Sequence, residues 1–190
     1  MTYARLDDLK LWDLIVAGDK NAFGFIFKAY SNDLFKYGQK FTRDKACVED
    51  VIQEVYLDLW QRRKSTAIRS SIKFYLLKSF RREIVRRIRQ EHKSVGEVDS
   101  DFLREPSHLE HLFTQQVDDE NRNRILAAIE LLSDRQREAV YLKYYMGLGN
   151  DEIAHLMNMT VPSAYNLVFR ALKCLKQQIN NSVLLKADMK

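Results

Sequence analysis

After His92 the apolar rhythm of this chain stops for about 25 residues, and no other feature constrains the fold as much. On both sides of that gap, apolar residues recur at the 3.6-residue helical spacing. Within it stand Pro106, many acids and scattered Phe102, Leu103, Leu109, Leu112 and Phe113. Such a stretch suits an extended linker with a short helical turn, not a third domain. The 190 residues are therefore expected to form two small helical domains, residues 1–93 and 119–190, joined by an acidic linker over 94–118. Halves of roughly 80 residues lie near the lower limit for a self-sufficient core. Six Gly and two Pro leave little room for a turn-rich β architecture, so the expected fold class is all-α.

The first domain begins with a helix over residues 6–16, with Leu6, Leu9 and Leu14 as its stripe, Trp12 beside them and Gly18 as its stop. Asp19 or Asn21 caps a second helix, whose Ala22, Phe23, Ile26, Phe27, Tyr30, Leu34, Tyr37 and Phe41 read as core. The third, residues 47–61, buries Val48, Val51, Ile52, Val55 and Leu59 and turns Asp50, Gln53, Glu54 and Asp58 outward. Leu57 falls in the middle of that acidic face, with Tyr56 and Trp60 along one flank. An acidic surface holding a leucine beside aromatics suits docking of a basic partner helix.

A fourth helix, starting at residue 68 or 70 and running to about 90, packs through Leu76, Leu77, Phe80, Ile84 and Ile88. A second line on it is Tyr75, Lys78, Arg82, Arg86 and Arg89, with Arg81 and Arg87 at the margins. At ~1.5 Å per residue the line from Lys78 to Arg89 covers roughly 16 Å, about five stacked nucleotides. A basic row ending in an aromatic matches the groove and stacking platform that hold single-stranded nucleic acid. Residues 62–93 are strongly basic, whereas over 97–120 Arg104 alone faces a run of Asp and Glu; the net charge of +5 hides this division.

In the second domain a helix from residue 119 or 120 to 131 leads to Ser133-Asp134-Arg135-Gln136, a capping box for a helix over 134–146. Gly147-Leu148-Gly149 breaks it. Asn150 caps a short helix, a three-residue turn follows, and Thr160 caps a long helix with Pro162 in its first turn, running to about residue 179. This is a helix-turn-helix pattern. Ala164, Val168, Ala171, Leu172 and Leu175 are expected inward, leaving Ser163, Tyr165, Asn166, Phe169 and Arg170 to meet base edges and phosphates.

Cys47 and Cys174 stand apart without ligand-spaced neighbours, and His108 and His111 gain no third ligand, so no metal or other cofactor is expected. No nucleophile, base and orienter pattern or glycine-rich phosphate loop suggests an enzyme. With no signal-like N-terminus and no apolar run approaching ~18 residues, a cytoplasmic protein without membrane insertion is expected.

Across nearly its whole length the chain resembles the extracytoplasmic-function (ECF) sigma factors of bacterial RNA polymerase. Three patterns carry the likeness: Gly18-Asp19 with Ala22-Phe23 and Tyr30; Glu49-Asp50-Val51-Ile52-Gln53-Glu54 through Leu59-Trp60; and residues 131–175 with Gln136-Arg137-Glu138, Gly147-Leu148, Asp151-Glu152-Ile153-Ala154 and Arg170-Ala171. Their order and spacing together are specific. The resemblance implies that the first domain is sigma region 2 and the second region 4. It implies that Asp50, Gln53, Glu54, Leu57 and Asp58 dock on the β′ coiled coil of core RNA polymerase, whose β subunit is a further partner, with the linker running through the polymerase cleft. Tyr75, Lys78, Arg82, Arg86 and Arg89 would hold and open the minus-ten element of promoter DNA. Ser163, Tyr165, Asn166, Phe169 and Arg170 would read the minus-thirty-five element. An anti-sigma factor is a further partner that the resemblance allows.

The chain departs from the family's pattern at two places. Arg82 stands where members often have an asparagine that captures a flipped base, and Arg86 replaces a frequent Asp or Asn. On the recognition helix, Tyr165 and Leu167 occupy positions often Lys or Arg, which suits apolar contact with thymine methyls and an A·T-rich element. The competing reading is a stand-alone helix-turn-helix regulator with an N-terminal sensing or dimerisation domain, which would bind duplex DNA without polymerase.

Overall fold

The computed structural model describes residues 3–68, 71–91 and 119–187, with side chains over 3–68, 71–90 and 125–178. Two compact units divide the chain, Met1–Val98 and Asp99–Lys190. Among the described residues the regular elements are helical: a 3-10 turn at Tyr3–Arg5, then α1 (Asp8–Val16), α2 (Lys20–Gly38), α3 (Lys45–Arg62), α4 (Ile72–Glu91), α5 (Asp119–Glu130), α6 (Asp134–Tyr144), α7 (Asn150–Leu156) and α8 (Val161–Ala187). The expected linker over 94–118, with His108 and His111, lies outside the described residues.

Asp7 opens α1 by accepting from the Lys10 N–H at 2.8 Å, which satisfies an amide that has no partner within the helix. At the other end Gly18 takes φ +98°. Its N–H donates to the Ile15 carbonyl and that of Asp19 to the Leu14 carbonyl, both at 3.0 Å, a Schellman ending that needs the left-handed residue. The Asp19 carboxylate then accepts from the Asn21 and Ala22 N–H groups at 2.8 and 3.0 Å, so one residue closes α1 and opens α2. The buried face of α1 is not the expected leucine stripe. Trp12, expected beside that stripe, is buried with Leu11 and Ile15, while Leu9 is exposed and Leu6 and Leu14 are half-buried. Both triplets fit the helical period, and packing on α2 selects between them.

Helices α2, α3 and α4 pack against one another and α1 packs on α2. At the end of α2 the chain has Gly38, where a Cβ would come within 2.5 Å of a Val48 methyl and 2.7 Å of the Phe80 ring. A side chain there would wedge α2 from both neighbours. The expected α4 stripe of Leu76, Leu77, Phe80, Ile84 and Ile88 is buried throughout. The helix starts later than expected, at Ile72, because its first amides are claimed there: the Phe74 N–H donates to Ser71 Oγ at 3.2 Å, and the Ile72 N–H to the Asp8 carboxylate of α1 at 2.7 Å.

In the second unit α5, α6 and α7 each pack on α8. Ser133 and Gln136 form the expected capping box, with Oγ accepting from the Gln136 N–H at 3.3 Å and Oε1 from the Ser133 N–H at 2.9 Å. Asn150 is the first residue of α7 and not its cap. Gly149 holds the cap position, and its N–H donates to the Glu152 carboxylate at 2.8 Å. Between α7 and α8 lies a turn in which Asn158 has φ 58°, a left-handed conformation that Asn tolerates. Thr160 Oγ1 accepts from the Ser163 N–H at 3.3 Å and starts α8. Ala164, Val168, Ala171 and Leu175 are buried as expected, but Leu172 is 36% exposed and lies off the packing face.

Candidate functional site

Three helix faces carry the residues singled out by sequence, two on the first unit and one on the second. On α3 the acids and Leu57 do point outward. Leu57 is 59% exposed, the most open large apolar side chain described in the first unit. It borders a hollow of about 440 Å³ lined by Lys20, Phe23, Phe27, Gln53, Tyr56, Leu57 and Trp60. Phe23 packs against Trp60 at 4.9 Å between ring centroids, and Phe27 meets Tyr56 edge-on at the same distance. The Arg63 guanidinium lies 4.2 Å from the centre of the Trp60 ring, a cation–π contact that fixes this wall.

Two sequence assignments change here. Phe23 and Phe27 were expected in the core; Phe27 is 41% exposed and Phe23 half-buried, and both line the hollow. Tyr56 was expected on the outer flank and is buried, its hydroxyl donating to the Ile26 carbonyl at 3.2 Å. Burial pushes its pKa well above the usual phenol range. The apolar surface around Leu57 is thus built by α2 and α3 together.

The acids of this face have partners within the chain. Asp58 pairs with Arg62 at 2.6 Å. Glu54 accepts from Arg87 of α4 at 2.5 Å, and Asp50 lies 3.8 Å from the same guanidinium. Sequence reasoning placed Arg87 at the margin of the basic row and missed this bridge, because its partners lie more than 30 residues away.

On α4, Lys78, Arg82, Arg86 and Arg89 are exposed and Tyr75 is half-buried, so the structure keeps the basic row on one accessible face. Arg86 is held by neighbours on its own helix. Its guanidinium grips the Glu83 carboxylate through Nε at 3.1 Å and through Nη2, and it donates to Gln90 Oε1 at 3.1 Å. That grip holds the Glu83 carboxyl below the usual carboxylate range.

On α8, Ser163, Tyr165, Asn166, Phe169 and Arg170 are all exposed. Tyr165 and Phe169 lie one turn apart with their rings 7° from parallel, 57% and 54% exposed, and form an aromatic strip that faces outward. The Ser163 hydroxyl is 2.8 Å from that of Thr160, which ties it to the helix start. Among the described residues no group of three His, Cys, Asp or Glu side chains is placed to hold a metal ion, and no helix is long and apolar enough to cross a membrane.

Known proteins resemble the chain along most of its length. Residues 26–94 match Sigma-70 region 2 and residues 122–175 match Sigma-70, region 4. Among curated relatives, the ECF RNA polymerase sigma factor SigM of Bacillus subtilis is 27% identical over 165 residues, covering 83% of this chain and 95% of that protein. ECF RNA polymerase sigma factor SigK of Mycobacterium ulcerans is 24% identical over 186 residues, 94% of this chain and 97% of that protein. The solved structure of CnrH in complex with the cytosolic domain of CnrY covers 95% of this chain and 98% of its own, with a TM-score of 0.60 at 19% identity. The sigma factor RpoE in complex with the anti-sigma factor NepR from Bartonella quintana gives 0.56 at 18%, covering 83% and 96%. These two structures share the fold. With two sigma regions matched in order, and relatives of one kind spanning most of the chain, this protein belongs to the ECF sigma factors of the sigma-70 family.

Proposed function

We propose that the protein binds core RNA polymerase in the cytoplasm and directs it to particular promoters, without catalysing a reaction itself. The observation that carries the docking assignment is Leu57, more than half exposed beside an aromatic hollow on an otherwise acidic helix face. A basic amphipathic helix would place an apolar side chain against Leu57, Phe27 and Trp60 and its cations near Asp50, Glu54 and Asp58, with Gln53 at the rim. The β′ coiled coil is assigned that role, and the β subunit is the further polymerase contact. Residues 1–93 act as the docking and minus-ten domain and residues 119–190 as the minus-thirty-five domain. The linker over 94–118 imitates, by its negative charge, the nucleic acid it displaces from the cleft.

On α4 the row Tyr75, Lys78, Arg82, Arg86 and Arg89 holds the minus-ten strand, with Arg82 on phosphate. On α8, Asn166 and Arg170 supply polar contacts, Ser163 sits at the helix start, and Tyr165 and Phe169 present flat apolar surface to thymine methyls, which favours an A·T-rich minus-thirty-five element. A selection of bound sequences should return such an element, and a G-rich consensus would refute this part. The RpoE relative is solved with an anti-sigma factor, and a partner of that kind, covering the Leu57 hollow, is proposed for this chain. The stand-alone regulator is the weaker reading, since both matched regions and the relatives belong to sigma factors.

Adding purified protein to core polymerase tests the function. Promoter-specific transcription that requires both components is expected. Specific duplex binding by the protein alone, unaffected by polymerase, would replace this reading with the stand-alone regulator.

A further inference from the structure

The two surfaces of the first unit are joined by alternating charges, and the arrangement has a direction. Asp50 and Glu54, with side chains 66% and 53% exposed, are open to an arriving partner. Arg87, which holds both, is 22% exposed, with the Cys47 sulfur also beside it. One turn before Arg87 on α4 stands Glu83, whose side chain is 20% exposed and is gripped by Arg86 of the basic row. Glu83 and Arg87 are four residues apart with the acid on the N-terminal side, the better order for a helical ion pair. The charges of Arg86, Arg87 and Arg82 all act on the Glu83 carboxyl. Arg87 therefore has two sets of carboxylates within its field, and uses the pair on α3.

We propose that Asp50, Glu54, Arg87, Glu83 and Arg86 form a charge relay in which a basic partner helix on α3 takes over Asp50 and Glu54, Arg87 turns to Glu83, and Arg86 is released to nucleic-acid phosphate. This rests on the reading of the α3 face as the polymerase-docking surface. It makes Arg87 and Glu83 positioning residues whose target is Arg86, and it couples polymerase binding to DNA binding within one small domain. By linkage the coupling is reciprocal, so DNA held by Arg86 favours docking on α3. Surface pairs are individually weak, which makes a graded bias of about two- to threefold the expected size, not an on–off switch.

The test uses the full chain without polymerase, so its failure is separate from failure of the docking assignment. Asp50→Asn with Glu54→Gln imitates the loss of both carboxylates to a partner. The readouts are the Arg86 side-chain Nε–H resonance by NMR and affinity for a fluorescent twelve-residue oligothymidylate at fixed salt. The double substitution should move the Arg86 resonance toward its position in Glu83→Gln and raise oligothymidylate affinity about two- to threefold. Both effects should vanish when Arg87 is also Gln, and the affinity gain should vanish when Arg86 is Gln. An Arg86 resonance that does not move would overturn the relay, as would an affinity gain of equal size in the Arg86→Gln protein, which would reflect net charge alone. If the relay behaves as expected but core polymerase fails to bind the wild-type chain, the docking assignment falls and the link between carboxylates and Arg86 stands as an intrinsic property of the fold.

Discussion

Helices α4 and α8 are both long and amphipathic and both start from defined caps, and the exposed faces we propose for nucleic acid on them have opposite chemistry. The α4 face is a row of cations in which Arg86 pairs with Glu83. The turn of α8 that would enter a groove shows two stacked rings, an amide, a hydroxyl and one arginine. Cations on phosphate give affinity that depends on salt and little on sequence, whereas flat apolar groups and amides against base edges give the reverse. The division suits a protein that must hold one promoter element while strands separate and recognise the other in the duplex.

The largest effect that would sharpen this contrast is on α4. Replacing Lys78, Arg82 and Arg86 together with Ala should lower single-strand affinity about 10²-fold at 0.1 M salt and reduce the slope of log affinity against log salt by about 2, since each phosphate contact contributes ~0.7. An unchanged slope would remove α4 from the nucleic-acid surface. Next in size is Gly38→Val, which sets a branched side chain against Val48 and Phe80 and should destabilise the first unit by roughly 2–3 kcal/mol. A calorimetric scan in which only one of two transitions moves would show that the units melt separately; a common shift would show that they do not. On α8, Phe169→Ala should cost about tenfold in discrimination between promoter sequences while leaving the salt slope alone. Loss of slope there would erase the contrast.

The smallest effect concerns pH. Glu83 has a folded pKa below its unfolded value, so the support its ion pair gives α4 is present above about pH 4.3 and fades as pH falls through the lowered value. Thermal scans at pH 6 and pH 3 should show wild type losing slightly more than Glu83→Gln, and equal losses would mean the pair contributes nothing.

What sequence could reach was whatever is local. The caps at Ser133 and Thr160, the α4 stripe and the turn before α8 are set by neighbours within a few residues and stand where periodicity and side-chain chemistry put them, and Asp19 is the one of two offered residues that caps α2. Local spacing failed where a distant helix decides. Around Trp12 the period allowed Leu6, Leu9 and Leu14 as readily as Leu11 and Ile15 for the buried side of α1. It could not tell that Phe27 lies where the cover of α2 ends, or that Tyr56 turns inward to the Ile26 carbonyl. The Asp8 cap on α4 and the Arg87 bridge to Glu54 join residues that sequence proximity never relates. The outward positions of Asp50, Leu57, Lys78, Arg82, Asn166 and Phe169 were legible from the 3.6-residue period; the partner assigned to each rests on family resemblance and surface chemistry.

The central claim is that the α3 face around Leu57 holds the polymerase. Its most direct test is a titration of core RNA polymerase with the wild-type chain and with Leu57→Arg, a change at a site open enough to leave folding intact, with melting temperatures measured alongside. A loss of tenfold or more in affinity at an unchanged melting temperature is expected, as for an anchor residue at the centre of an interface. Equal affinity for the two proteins would contradict the claim and move the docking surface elsewhere on the chain.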